Sequence, residues 1–557
     1  MKGGITSGVV YPFAITELAK RYRFRSIGGT SAGAIAAAVT AAAEHNRAGG
    51  GFDRVKVLPR ELGSAPGGKP FTLQLFTPDG KTRPLFEAAV GFMRWGKLRG
   101  LLNLFRWFPG ALLPPVILVV TTILVCILGG VSAVWAVLAG LMAVLLAVAG
   151  LVIEGVLGVR AIGRNDFGIC HLGPGAGTAN APALTPWLYR KIQEAAGRSE
   201  GDPPLTFADL WGVPALPADP TDAERDARAG LLASFSGKPG LRAIDLQMMT
   251  TSLSHGRPMR LPRPELEEGG ELLFSPKEMR RFFPGDVVEH LEAGGGADDL
   301  PPDARRKGLR RFPTGADLPV IVATRMSLSF PILISAVSLW EFDYAADEHA
   351  PPLKRVVFSD GGISSNFPIH FFDSPAPTRP TFGLQLTSFE HGDGPIEGNP
   401  AHSVEDPPSA GEQVRELRSD MHDLRGFLTG LKDAMQNWRD NTQSQLPGYR
   451  ERIERIKMGR TEGGLNLTMD STKIEQLTGY GEYAGRRLVT LFSGPPEDAP
   501  IRTDHWEDHR FARYRVTMSV LERFLQDFAH GYETPAALAT PYEQLIKQRT
   551  HEGYYRF

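Results

Sequence analysis

The sequence predicts an α/β protein: a sheet with covering helices, an inserted two-helix membrane hairpin and a mostly helical C-terminal region. Three observations predict this. Runs rich in β-branched and aromatic residues alternate with helical stretches, the pattern of a sheet covered by helices. Ala111 to Ile153 holds 43 residues without one charged side chain. Beyond residue 391, apolar residues recur at helical spacing. The expected organisation is 1–110 and 154–390 as two parts of the α/β unit, 111–153 as the hairpin, and 391–557 as a helical region packed on that unit.

Taken in order, Gly3-Gly4-Ile5-Thr6-Ser7-Gly8 forms a glycine loop close to the start. No strand precedes it, so the expectation is either a natural beginning further upstream or an unusual support for the loop. Tyr22 to Ile27 reads as a strand and Ala34 to Ala43 as a helix. Between them lies Gly29-Thr-Ser31-Ala-Gly33, whose spacing fits a sharp strand-to-helix turn that lifts a serine hydroxyl to the helix N-terminus.

One bilayer crossing needs about 20 apolar residues. The uncharged run corresponds to about 64 Å of helix at ~1.5 Å per residue, enough for two crossings and a tight turn. Gly129-Gly130 with Ser132 is the expected turn, and Pro114 and Pro115 fall near the first helix start, where missing donors matter least. Arg94, Lys97, Arg99 and Arg106 precede the run while Arg160 and Arg164 follow it, so both ends are expected on the cytoplasmic side. The competing reading is a buried helical pair in a large soluble core. Phe86 to Trp107 mixes aromatic and basic residues and fits either a headgroup-layer segment or an ordinary amphipathic helix.

Residues 165–240 read as loops and small helices, with a helical piece around Trp187 to Ala196, and 256–316 as an irregular surface insertion. Strand-like runs are Ala243 to Thr250, Leu318 to Thr324, Leu353 to Phe358 and Phe382 to Thr387. Further on, Val414, Leu417, Met421, Leu424, Leu428, Leu431, Met435 and Trp438 make a seven-residue repeat. It leaves room for a coiled-coil partner or a homo-oligomer, although such a stripe more often packs on its own domain. Ser471-Thr472 with Glu475 reads as a capping box for a helix running to Phe492. A last helix, Trp506 to Phe528, carries Tyr514, Met518, Leu521 and Phe524 on one stripe.

Composition narrows the function. The net charge of −1 gives no global field for nucleic acid. Cys126 and Cys170 are the two cysteines, which excludes a disulfide framework and suits a reducing cytosol. The first twenty residues lack a signal-peptide pattern, so targeting is expected to be internal. Thirteen histidines are scattered without metal-ligand spacing, and neither metal nor cofactor is expected.

The chemistry-bearing residues are Ser31 and Asp360. Asp360-Gly361-Gly362 follows the strand-like Arg355 to Phe358, which puts a carboxylate at a strand end. A serine needs a base to become a nucleophile, and an aspartate serves if it reaches the hydroxyl where water is limited. The helix dipole and free amides beyond Ser31 favour developing negative charge. The glycine loop is a source of oxyanion donors. Each motif has a plain alternative: Ser31 as a helix cap, Asp360 as a turn aspartate. His255 and His370 are candidates for a third member but read as structural. Arg325 fits a phosphate contact or an ion pair equally well.

Together the glycine loop, Gly29-Thr-Ser-Ala-Gly33 and Asp360-Gly-Gly362 resemble the patatin-like phospholipase family, as does Ala323-Thr-Arg-Met-Ser-Leu-Ser-Phe-Pro331 before the aspartate. The likeness covers residues 1 to about 390 with gaps, and the C-terminal third is similar to the extension of a larger bacterial subgroup. It implies a patatin-like α/β fold and a Ser–Asp dyad hydrolysing acyl esters of lipids. Ser31 is then the nucleophile, Asp360 the base, and the amides of Gly3, Gly4 and Ile5 the oxyanion donors, with Gly29, Gly33, Gly361 and Gly362 supporting the turns. The family loop commonly carries a third glycine and a basic residue where this chain has Ile5 and Ser7. The expected protein is a cytoplasm-facing acyl-hydrolase of the bacterial cytoplasmic membrane, acting on phospholipids or lysophospholipids, with the bilayer as partner and no nucleic acid. The alternatives are a lipase or thioesterase on the same dyad, and a dormant membrane scaffold or effector module.

Overall fold

The computed structural model describes all residues except 5, 92–107, 130–132, 177–181, 218–219, 236–237, 264–269, 298, 390–393, 406, 409–439, 441, 460, 465, 494–503, 534–539 and 550–557. Ile5, the turn residues Gly130 and Ser132, most of the Phe86–Trp107 stretch and the whole heptad repeat from Val414 to Trp438 therefore lie outside the described residues.

The chain is a mixed α/β protein. Its main sheet has seven strands among the described residues. Ser26–Gly29 lies at one edge and pairs in parallel with Asp245–Ser252, Gly29 opposite Met248. Asp245–Ser252 is buried along its whole length. It forms an antiparallel hairpin with Arg257–Leu261 and meets the end of Leu353–Ser359, Thr251 opposite Ser359. The sheet continues through Val337–Phe342, Leu273–Phe274 and Arg310–Arg311. Residues 256–316 are thus not an irregular surface insertion. They supply three of these strands, and Phe282 and Phe283 from a turn, with Val287, Val288 and Leu291 from the following helix, are buried in the core.

The run Leu318 to Thr324 is not a strand. Val320–Ser327 is an α-helix, entered from Pro319 in an extended conformation, and all eight of its residues are buried. A helix covered on every side shows no polar face, so its sequence carries no period that separates it from a strand. Ala32–His45 and Leu184–Ala195 pack beside it within the same core.

The C-terminal region is helical but also adds a strand. Ile453–Met458 pairs in parallel with Gly383–Ser388 and antiparallel with Val404–Glu405 in a second sheet. The helix Ser471–Ser493 is capped one residue earlier than expected: Asp470 Oδ1 accepts the Lys473 N–H at 2.8 Å. This helix lies tightly on Tyr11–Arg21. A Cβ added at Gly481 would stand 1.9 Å from the Val10 carbonyl oxygen, and one at Gly485 2.6 Å from that of Ala14.

Two apolar helices, Pro109–Gly129 and Ala133–Arg164, pack against each other. Val137–Arg164 is long and apolar enough to cross a membrane by length and composition, and Leu113–Leu128 is a shorter apolar helix. Their side chains point outward: Leu128 is 78% exposed and Leu145 64%. A buried core pair would show the reverse.

Candidate active site

The turn after strand Ser26–Gly29 puts Ser31 in an unusual conformation. Ser31 has φ 54° and ψ −130°, immediately before helix Ala32–His45. Non-glycine residues rarely adopt positive φ, and such strain clusters at functional sites. The flanking glycines are needed for close approach. A Cβ at Gly29 would lie 2.2 Å from the Gly33 carbonyl oxygen, and one at Gly33 2.4 Å from that of Met1.

Asp360 arrives from the other side of the same central strand. Continuing the two registers past their last pairs brings both Ser31 and Asp360 to the level of Thr250, on opposite flanks of that strand. Thr250 Oγ1 donates to the Ser359 carbonyl at 2.7 Å and Thr251 Oγ1 to that of Asp360 at 2.8 Å, which fixes the strand end. Gly361 then passes so close that a Cβ would stand 2.0 Å from the Met249 carbonyl oxygen.

The two side chains meet. Asp360 Oδ1 accepts the Gly362 N–H at 2.7 Å. Oδ2 is buried without a close hydrogen-bond partner among the described residues, yet the Ser31 hydroxyl stands near enough to favour the charged carboxylate. Both residues are nearly closed off from water, at 4% and 3% exposure. Burial pushes the Asp360 carboxyl up to about 6, against the opposing pull of Ser31 and Gly362. A carboxylate in that range is suited to exchanging a proton near neutral pH.

The oxyanion expectation is corrected in part. The Gly3 N–H donates to the Asn366 carbonyl at 3.0 Å and is occupied in this conformation. Ser31's own N–H goes to Ser327 Oγ at 3.2 Å. Gly4 and Ala32, at the two sides of the turn, have no acceptor for their N–H groups among the described residues. Ile5 lies outside them.

Neither histidine joins the pair. His255 bonds Ser252 Oγ at 2.7 Å and Glu341 Oε2 at 2.9 Å at the tip of the hairpin, while His370 packs edge-on to Phe371. Arg325 is buried. It donates to Ser329 Oγ at 2.7 Å and to the Ser335 and His171 carbonyls at 2.8 and 3.3 Å. Burial pulls its pKa down to about 9, leaving it charged at neutral pH. Its role is to hold the Ser329 loop, whose carbonyl accepts the Asp360 N–H at 2.9 Å.

Sequence reading missed the residues that hold the site. Asp440 accepts from Ser365 Oγ, Asn366 N and Phe367 N at 2.7, 2.6 and 2.8 Å. Asn366 stands six residues after Asp360, a local signal that was available; Asp440 has none. Among the described residues no cluster of His, Cys, Asp or Glu side chains is arranged to hold a metal.

An apolar cavity of about 100 Å³ adjoins the turn. Gly8, Ala32, Ile35 and Leu328 line it beside Ser31, and Leu75, Trp187 and Leu188 line it farther in. A larger cavity, about 710 Å³, runs along the outer edge of Ser26–Gly29 toward Arg452 and Arg513; neither cavity is lined by Ser31 or Asp360 themselves. The smaller cavity includes Ala32, the residue directly after Ser31.

No family model matches the sequence, and no solved structure matches it. Over 592 aligned residues the chain is 34% identical to a protein of Rhizobium meliloti (strain 1021) named "RpoH suppressor". The match takes in 95% of this chain and 86% of that protein.

Proposed function

The chain belongs to the family of the Rhizobium meliloti RpoH suppressor, and from the geometry at Ser31 we propose that it is a membrane-anchored serine acyl-hydrolase with a patatin-like α/β fold. Its substrates are the carboxylic esters of phospholipids or lysophospholipids. The observation that carries this reading is the strained Ser31 turn facing the unpartnered Oδ2 of a buried Asp360.

In the first half-reaction Ser31 Oγ attacks the ester carbonyl and Asp360 takes the hydroxyl proton. The tetrahedral intermediate collapses, the carbon–oxygen bond to the alcohol breaks, and Asp360 returns the proton to the leaving alkoxide. Water then attacks the acyl-enzyme with Asp360 again as base, releasing the fatty acid and restoring Ser31. The N-terminal end of helix Ala32–His45 favours the developing charge. The apolar cavity suits an acyl chain, because its lining offers hydrocarbon contact and almost no hydrogen bonds.

The outward-facing apolar helices support a hairpin with two crossings, which keeps the parts of the site on either side of it on one face of the membrane. Basic flanks support the cytoplasmic face.

The test is mass spectrometry of membrane lipids incubated with the protein and with Ser31→Ala. Wild type should release fatty acid and the matching deacylated lipid. Ser31→Ala should release neither and should escape labelling by a fluorophosphonate. Labelling that persists at another serine overturns the assignment. Hydrolysis confined to neutral lipids or thioesters selects the lipase or thioesterase reading, and no turnover of any ester selects a dormant scaffold.

A further inference from the structure

We propose that Asn366 is a third catalytic residue, donating from its side-chain amide to the substrate's carbonyl oxygen as that oxygen becomes negative, and that Asp440 is the positioning residue that sets it there. The inference rests on the dyad reading above and extends it to the oxyanion site.

Apart from those of Gly4 and Ala32, which the substrate oxygen can also use, the backbone donors at the turn are spent. Those of Gly3, Ser31, Gly33 and Ala34 go to Asn366 O, Ser327 Oγ, Thr30 O and Ser31 O at 3.0, 3.2, 2.8 and 2.9 Å. A tetrahedral oxyanion in a buried site needs aimed donors, because water is excluded and the charge is otherwise unpaired.

The Asn366 side chain is placed for this. A Cβ built on Gly3 would be 2.2 Å from its Oδ1 and 2.8 Å from Ser31 Cβ. One built on Gly362 would be 2.7 Å from Asp360 Oδ1 and 2.9 Å from Asn366 Oδ1. The amide therefore lies in the gap between the glycine loop and the Asp-Gly-Gly turn, with both members of the dyad beside it. These two glycines are small because Asn366 occupies that gap. Asn366 is half-buried, and among the described residues its side-chain amide has no hydrogen-bond partner. With no partner among the described residues to fix it, either end of the amide can face the site, so Nδ2 is available to a substrate oxygen.

The backbone of Asn366 is held on three sides. Its carbonyl accepts from Gly3 N and from Thr30 Oγ1, both at 3.0 Å, which ties it to the residue before the nucleophile. Its N–H goes to Asp440, a carboxylate 2% exposed that also takes Ser365 Oγ and Phe367 N. Three donors on one buried carboxylate make a rigid clamp. Through it the C-terminal region contributes to the chemistry without touching the substrate.

The experiment measures kcat and KM for a water-soluble ester, 4-nitrophenyl butyrate, with the full chain in detergent and with Ser31→Ala, Asn366→Ala, Asn366→Asp and Asp440→Asn. Asn366→Asp keeps the shape but loses the donor and adds a negative charge, whereas Asn366→Ala loses the donor without adding charge. Both Asn366 variants should lower kcat by about 10²–10³-fold, as loss of one oxyanion donor does, with KM and the unfolding midpoint little changed. Fluorophosphonate labelling of Ser31 should slow by the same factor, because the phosphoryl oxygen uses the same donor. Asp440→Asn should show a smaller fall in kcat at unchanged KM. Wild-type kcat in Asn366→Asp overturns the proposal while leaving the dyad intact. So does a loss of kcat that merely follows a lowered unfolding midpoint. A wild type as inert as Ser31→Ala overturns the dyad itself and is distinguished because no variant then differs from it.

Discussion

Burial pushes the Asp360 carboxyl up to about 6, and the consequences for activity and stability have opposite signs. As a base it works only when charged, so kcat/KM should fall about tenfold per unit as pH drops below 6. Stability runs the other way. Between the ordinary carboxylate value of 3.8 and about 6 the folded state holds a proton that the unfolded chain has released, so stability declines as pH rises through that window. Above it the buried charge costs about 3 kcal/mol. Asp360→Asn should therefore be inactive and, at pH 8, more stable by about 1–3 kcal/mol, with the difference vanishing below pH 4. Thermal unfolding across pH checks this, and an Asn variant less stable than wild type at pH 8 contradicts it. Ser31 expresses the same conflict in its backbone, since a serine held at φ 54° stores strain that a structural cap has no need of.

The strand–turn–helix element around Ser31 was legible because everything that forms it is local. Glycines at 29 and 33 permit contacts that a methyl group would block, and the alanine run supplies a helix whose small side chains pack closely. Gly29→Ala should thus cost about 1–3 kcal/mol or more by overpacking against the Gly33 carbonyl and abolish labelling of Ser31; full labelling at an unchanged unfolding midpoint would show that the turn tolerates a side chain. Elements without local signals were not legible. Helix Val320–Ser327 reads as a strand because it is buried on all sides and rich in β-branched residues. Strands Leu273–Phe274 and Arg310–Arg311 are too short to alternate, and two arginines in a row look like surface. Asp440 meets Asn366 across 74 residues of chain, a contact that only the fold brings about. The strained turn at Ser31 and the strand end at Asp360 were legible and their supports were not, because a tight turn is written in adjacent residues whereas a clamp is written in tertiary structure.

At the scale of the whole molecule, the pieces of the site come from distant parts of the chain that must lie on one side of any membrane. Ser31 precedes the two apolar helices; Asp360, Asn366 and Asp440 follow them. The C-terminal part also supports the glycine loop directly, for the Thr6 N–H and hydroxyl both donate to the Gly464 carbonyl at 3.2 Å. In contrast, the apolar helices expose most of their described side chains, and among the described residues they touch the rest of the protein at few places, as where Leu85 lies against Gly158. Removing them should leave the α/β core and its site folded while exposing less hydrocarbon to water. Replacing residues 111–153 by a short Gly-Ser linker should therefore move the protein from the detergent-extractable membrane fraction to the soluble fraction. It should keep hydrolysis of 4-nitrophenyl butyrate and labelling of Ser31 within a few-fold of wild type, and lose most turnover of phospholipid in vesicles, because the substrate no longer lies beside the site. A variant that stays with the membrane would place the anchor elsewhere, with the aromatic and basic stretch before the hairpin as the next segment to remove. A variant that unfolds would mean that the helices stabilise the core itself, contrary to their outward-facing side chains.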